Sequence, residues 1–353
     1  MKTIAYYLPQ FHTIPENDEW WGEGFTEWTN TKKAKPLYKW QYQPKVPLEG
    51  YYNLENKSAL LRQAEIAKQY GVSGMAFYHY WFNGKMLLQK PAEHLLAWKD
   101  VDMNFMFFWA NHDWVRSWNG SRTMLMEQTY GGIEDWEAHF DYMLPFFTDP
   151  RYIRIEGKPA FGIYMADAIP DLDNMISYWN ERAIKEGLNG IYIIETALTP
   201  KYESKYNNVN ALVLRQPNIA NRELTRLFQI SKKKPEWQKF FPFCYPGIVS
   251  YSMAMSETLR HTKHFTSNKT IMYGAFVGWD NTCRHGRRGF IVKGQTPEKF
   301  KKCLIGLKKL ADKNGVEYLF VNAWNEWAEG MYLEPDTKDG FGYLEAIRDV
   351  IKD

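Results

Sequence analysis

The chain has 353 residues, enough to bury a full core as one large α/β barrel or two ordinary domains. Its 44 basic and 41 acidic residues leave a net charge of +3, which disfavours a broad nucleic-acid-binding face. An aromatic content of 17% excludes disorder, coiled coil and collagen, and 15 Trp exceed what a core ordinarily takes, since each buried indole N–H needs a partner.

The N-terminus runs from Met1-Lys2-Thr3 directly into Ile4-Ala5-Tyr6-Tyr7-Leu8. It lacks the apolar stretch of about 7–15 residues and the small-residue cleavage site of a signal peptide. No apolar run approaches the roughly 20 residues of a membrane span. The expectation is a soluble cytoplasmic protein without an integral membrane segment. Cys244, Cys283 and Cys303 show no CxxC spacing and read as buried free thiols.

Eight short apolar runs read as strands covered on both faces: Lys2–Leu8, Gly74–Tyr80, Asn104–Ala110, Ala160–Tyr164, Ile191–Glu195, Ala211–Gln216, Ile271–Val277 and Tyr318–Ala323. Helical patterns fall between many of them. Leu60, Leu61, Ala64, Ile66 and Ala67 precede the second strand, with Gly71 as a helix stop. Trp136, Phe140, Met143, Leu144 and Phe147 mark another helix, and Ile176, Trp179 and Ala183 a third. Thr296-Pro297 opens a fourth, continued by Phe300, Cys303, Leu304, Leu307 and Leu310. This alternation predicts an α/β fold, a (β/α)8 TIM barrel forming a single domain over residues 1–353 with long βα loops. An open doubly wound sheet is disfavoured, because no strand is followed by GxGxxG or GxxxxGK[ST].

In a barrel the functional face lies at the C-terminal strand ends. Those corners carry Gln10 and His12; His79, Tyr80 and Trp81; Trp109, Asn111, His112 and Asp113; Tyr164; Glu195; Gln216; Trp279, Asp280 and Asn281; and Trp324 to Glu329. Carboxylates, amides, His and Trp recur there, whereas the opposite corners look like solvated turns. Pyranose rings present apolar faces that stack on aromatics and hydroxyls that suit carboxylates and amides. Two long connections stand out: Pro9 to Asn56, holding the Trp20–Trp28 segment, and Pro217 to Thr270, holding Trp237 and Phe240-Phe241-Pro242-Phe243. Loops of this length are usually functional or disordered, and their aromatics argue against disorder.

The sharpest segment is Asn322-Ala323-Trp324-Asn325-Glu326-Trp327-Ala328-Glu329-Gly330. Glu326 and Glu329, three apart, fall on one side of a helical turn or tight loop. Two nearby carboxylates shift each other's pKa, leaving one as acid and the other as base, which is what glycosidic chemistry needs. Other readings are weaker. Asp280 is equally a turn residue or a sugar partner. His79 and His112 lack a metal-binding spacing and read as structural. Arg284, Arg287 and Arg288 read as a solvated face that alternatively meets an acidic sugar. DxD pairs at Asp100–Asp102 and Asp171–Asp173 occur about as often as chance supplies.

The segments Tyr6–His12, Trp20–Trp28, Phe77–Phe82, Gly278–Thr282 and Asn322–Gly330 with Leu333-Glu334-Pro335 resemble the WbsX-like family, also called glycoside hydrolase family 99-like, over Tyr6 to about Tyr343. The resemblance implies a barrel related to endo-α-mannosidases that needs no metal or other cofactor. It implies Glu326 as the base acting on the substrate's own 2-hydroxyl and Glu329 as the acid, later the base. A 1,2-anhydro intermediate and retention follow from those roles. Tyr6, Gln10, His12, Trp28, His79, Tyr80, Trp81, Trp109, Asn111, His112, Trp114, Glu195, Trp279, Asp280, Asn325 and Trp327 are the expected substrate-binding residues. This chain departs from the family at Asn111-His112-Asp113-Trp114, where Asn-Glu-Asn-Trp is usual. The expected role is making or cleaving a glycosidic bond in bacterial surface polysaccharide (O-antigen or lipopolysaccharide) metabolism, with an oligosaccharide or polysaccharide as substrate. A sugar-nucleotide-dependent transferase and a non-catalytic glycan-binding barrel are the alternatives.

Overall fold

The computed structural model describes residues 1–118, 121–220 and 247–351. Within them the eight expected strands appear as β1 (Lys2–Tyr7), β2 (Gly74–Phe82), β3 (Phe105–Trp109), β4 (Lys158–Ile163), β5 (Tyr192–Ala197), β6 (Ala211–Leu214), β7 (Thr270–Phe276) and β8 (Tyr318–Asn322). All eight run parallel, each pairing with the next, and β8 pairs with β1 through Ala5 opposite Val321 to close the barrel. Closure removes both sheet edges, and helices cover the outside, so every strand is buried on two faces.

The helices start and stop where the side chains dictate. Between β1 and β2 lie α1 (Pro15–Trp21), α2 (Glu27–Lys33) and α3 (Lys57–Tyr70). The last of these buries Leu60, Ala64 and Ala67 and ends at Gly71, whose φ of 77° suits glycine. The outer layer continues with α4 (Lys90–Ala97), α5 (Ile133–Phe147), α6 (Leu172–Lys185), α7 (Tyr251–His264), α8 (Pro297–Asn314) and α9 (Gly342–Ile351). Thr296 caps α8 by accepting from the Lys299 N–H at 3.3 Å, with Pro297 at the first turn.

Two expectations change. The Pro9–Asn56 connection holds α1 and α2 rather than an extended loop; Thr26 and Thr29 form a reciprocal cap that nucleates α2. The connection after Pro217 contains α7 and a short strand, Gly247–Ser250, paired with Phe290–Lys293. Ser, Thr and His dilute the apolar stripe of α7, which hides it from a hydropathy reading. Trp237, Phe240-Phe241-Pro242-Phe243 and Cys244 lie outside the described residues. Cys283 and Cys303 are free thiols, Cys303 buried. No described helix is long and apolar enough to cross a membrane.

Candidate functional site

At the C-terminal mouth of the barrel is a cavity of about 650 Å³. Strand alternation decides which side chains reach it, because successive residues point to opposite faces. On β2, Tyr78 and Tyr80 line the cavity, while His79 and Trp81 face α5. His79 Nε2 lies 2.8 Å from His139 Nε2, and the Trp81 ring stacks on His139 at 4.4 Å. On β3 and just after it, Phe108 and Ala110 line the cavity, while Trp109 packs edge-on to His139 and donates to the Trp81 carbonyl at 3.1 Å. His79, Trp81 and Trp109 are therefore corrected from sugar ligands to the barrel–helix interface. Burial lowers the pKa of His79 to about 3, keeping it neutral there.

The catalytic candidates come from the chain after β8. Asn325–Glu326 pairs with Met331–Tyr332 in a two-residue ribbon, and a 3₁₀ turn over Trp327–Glu329 closes on Gly330 at φ 63°. This tight turn puts Glu326 and Glu329 side by side. Arg284, on the one-turn helix Thr282–His285, reaches both: Nη1 donates to Glu329 Oε1 at 2.9 Å, and Nη2 lies 3.9 Å from Glu326 Oε2. The same Nη2 pairs with Glu27 at the first turn of α2. One guanidinium thus gathers three carboxylates, whose side chains are 3% (Glu27), 9% (Glu326) and 23% (Glu329) exposed.

Burial pushes the Glu326 carboxyl well above the usual carboxylate range; Glu329 adds to the shift and Arg284 opposes it. Burial raises Glu27 too, again against Arg284. A carboxyl that is hard to ionise beside a second, more open one is an acid–base arrangement. Among the described residues no three His, Cys, Asp or Glu side chains converge as a metal-ligand set. Arg284 occupies the centre of the carboxylates.

The turn is braced from behind. Glu334, itself buried, accepts from Trp324 Nε1 at 3.0 Å, Trp327 Nε1 at 2.7 Å, Gln63 Nε2 at 2.7 Å and Tyr52 OH at 2.8 Å. Desolvation still dominates and raises its pKa to about 7. Asn325 exchanges hydrogen bonds with the Leu8 backbone, at 2.7 Å and 3.0 Å. Asn325 and Trp327 thus use their polar groups on the protein, a correction to their expected role as ligands. Trp28 does the same, donating to the Tyr52 carbonyl at 2.7 Å and packing on Trp327.

Of the expected ligands, Gln10, Tyr80, His112, Trp114 and Trp279 line the cavity with Glu326 and Glu329. Tyr6 lies against the Arg215 guanidinium, 4.4 Å from ring centre to Cζ. The remainder are placed elsewhere. His12 is buried, with Nδ1 2.9 Å from the Pro9 carbonyl and a pKa lowered by burial to about 4. Asn111 bonds to Met165 and Tyr130. Glu195 takes a hydrogen bond from Tyr202, and burial raises its pKa. Asp280 lines a second, smaller cavity of about 230 Å³, where it pairs with Lys45 at 3.4 Å. Three of the DxD residues are similarly spent: Asp100 and Asp102 pair with Lys57 and Lys68, and Asp173 takes the Asn207 and Asn208 N–H groups. Of that cluster, Arg284 lines the cavity, while Arg287 and Arg288 are exposed outside its lining. Glu27, Tyr78 and Arg215 were not singled out as ligands beforehand. Glu27 sat inside the Trp20–Trp28 motif, and period-two counting from Tyr80 would have found Tyr78.

A family model described as Glycosyltransferase WbsX matches residues 3–347. The protein WxcX of Xanthomonas campestris pv. campestris, itself uncharacterized, is 29% identical over 99% of this chain and 49% of its own length, in two strains. The chain therefore spans about half the length of these curated relatives. Among solved structures, the GH99 endo-alpha-mannosidase from Bacteroides thetaiotaomicron in complex with bis-tris propane superposes with a TM-score of 0.60 at 14% identity, over 99% of this chain and 96% of that one. A glycoside hydrolase-like protein gives 0.57 at 12% identity, over 99% and 93%. At these identities the likeness is one of fold.

Proposed function

The chain belongs to the glycosyltransferase WbsX family, and from that membership and its site we propose that it is one catalytic barrel that makes or cleaves glycosidic bonds of bacterial surface polysaccharide with retention. The observation that carries the reading is the Glu326–Glu329 pair, on a braced turn at the mouth of an aromatic-walled cavity, gathered by Arg284.

Glu326 is the more buried of the two and serves as the base toward the sugar's 2-hydroxyl; Arg284 opposes the burial that disfavours its ionised form, and once ionised its carboxylate is a stronger proton acceptor than an exposed one. As Glu326 takes that proton, O2 attacks C1 and the glycosidic bond breaks, with Glu329 protonating the leaving oxygen. The product of this half is a 1,2-anhydro sugar. In the second half, water or a sugar hydroxyl loses its proton to Glu329 and attacks C1, the C1–O2 bond breaks, and O2 recovers its proton from Glu326. Two inversions give retention, in the manner of substrate-assisted glycosidases. The greater exposure of Glu329 suits it to face both the leaving and the incoming groups. Trp114, Tyr80 and Trp279 supply the stacking surfaces a pyranose requires.

The test is to replace Glu326 or Glu329 by Gln and assay α-linked oligosaccharides for hydrolysis and transfer, following product anomers by NMR. Each variant is expected to lose about 10²–10⁴ in rate, the usual acid–base contribution. A loss below about tenfold, or an inverted product, removes the proposed roles.

A further inference from the structure

Arg215 follows β6 and lines the same cavity as Glu326, yet it is handled differently from Arg284. Its guanidinium carbon lies 4.4 Å from the Tyr6 ring centre, 5.0 Å from that of Tyr164 and 5.7 Å from that of Tyr78. Nη2 donates to Tyr78 OH at 2.8 Å. Among the described residues, Nη1 is buried without a hydrogen-bond partner and Arg215 forms no ion pair with a carboxylate. Three tyrosine rings hold the cation in place through their π faces but bring no negative charge.

A guanidinium does not lose its proton in a protein, so burial cannot neutralise this charge. Arg215 is half-buried at the cavity wall, and a guanidinium there that lacks a direct carboxylate partner among the described residues has planar donors that match a carboxylate or phosphate. We propose that the cavity binds an anionic sugar, its charge carried as a carboxylate or a phosphate, with Arg215 as the group that recognises that charge. The inference rests on the cavity being the glycan site. Arg284 is not an equivalent receptor, because Glu27 and Glu329 already satisfy it. Glu326 is within electrostatic reach of Arg215, so the anion would bind beside the reacting bond rather than at a remote subsite.

The experiment measures binding to the full chain by titration calorimetry, using matched pairs. One pair sets galacturonate and glucuronate oligosaccharides against their carboxyl-reduced, neutral counterparts. The other sets glucose 1-phosphate against glucose. The charged member should bind about tenfold tighter or more, as a charge-assisted contact implies. The pair that shows the advantage identifies the carrier of the charge. Arg215→Met should abolish the advantage, and Arg215→Lys, which keeps the charge, should retain part of it. Equal binding within both pairs overturns the inference, as does an advantage that persists in Arg215→Met. If thermal melting shows that the Met variant does not fold, the wild-type pairs and the Lys variant decide. Repeating the pairs with Glu326→Gln separates this inference from the catalytic one. A variant that still turns over but keeps the anion preference defeats only the glutamate roles. An inactive variant without any preference for charge defeats only the anion site.

Discussion

Arg284 Nη1 donates to Glu329 Oε1 at 2.9 Å while its Nη2 pairs with Glu27, so a residue after β7 and a residue after β1 are tied to the turn after β8. This cation opposes burial at two of the three carboxyls it gathers. It lowers the pKa of Glu326 and Glu27 against the larger raising effect of burial.

Arg284→Met is therefore expected to raise both carboxyl pKa values further. Fewer molecules then carry an ionised base at a given pH, and the acidic limb of the pH–rate profile moves to higher pH by about one unit or more. A profile measured from pH 4 to 9 checks this. An unmoved limb would show that the ionisation governing the rate lies elsewhere.

Glu334 offers a stability test with a defined sign. Its folded pKa of about 7 lies above the ordinary 4.5. Its contribution is therefore fully present below about pH 4.5 and is lost as pH rises through 7, by on the order of 3 kcal/mol. Glu334→Gln cannot titrate. The melting-temperature advantage of the wild type over this variant should be largest near the acid end and shrink by a few degrees toward pH 8. A difference that stays flat with pH contradicts the assignment.

Lys45 and Asp280 form a buried ion pair with side chains 4% and 6% exposed. Lys45→Met leaves the Asp280 carboxylate hydrogen-bonded to Gln41 and Thr282 but without a cation. The expected cost is about 3 kcal/mol or more, with much of it recovered in the double variant that adds Asp280→Asn. Urea denaturation of the four proteins in this cycle gives the coupling directly.

Trp279 lines the cavity with an indole N–H that is buried and, among the described residues, has no partner. Trp279→Phe keeps a ring and removes the donor. KM for the glycan should rise several-fold, equivalent to about 1 kcal/mol, with kcat little changed. A drop in kcat alone would place Trp279 in transition-state stabilisation instead.

The eight strands, their order along the chain and the barrel itself were legible in the sequence, because strands buried on both faces must be short and continuously apolar. The Glu326–Glu329 segment was legible for a related reason: an apolar strand that breaks into carboxylates and tryptophans marks a strand end. What a linear reading could not separate was wall from cavity. Tyr78 and His79 are neighbours in sequence, but pleating sends one inward and the other onto His139. Arg284 looked like one of three surface arginines, and Glu27 like part of an aromatic motif. Their meeting at Glu326 is a contact between loops more than 250 positions apart in the chain, and only closure of the barrel brings β1, β7 and β8 side by side. Composition and periodicity are local properties, whereas the charge state of this site is set by burial and by ions from distant segments. That setting belongs to the tertiary structure.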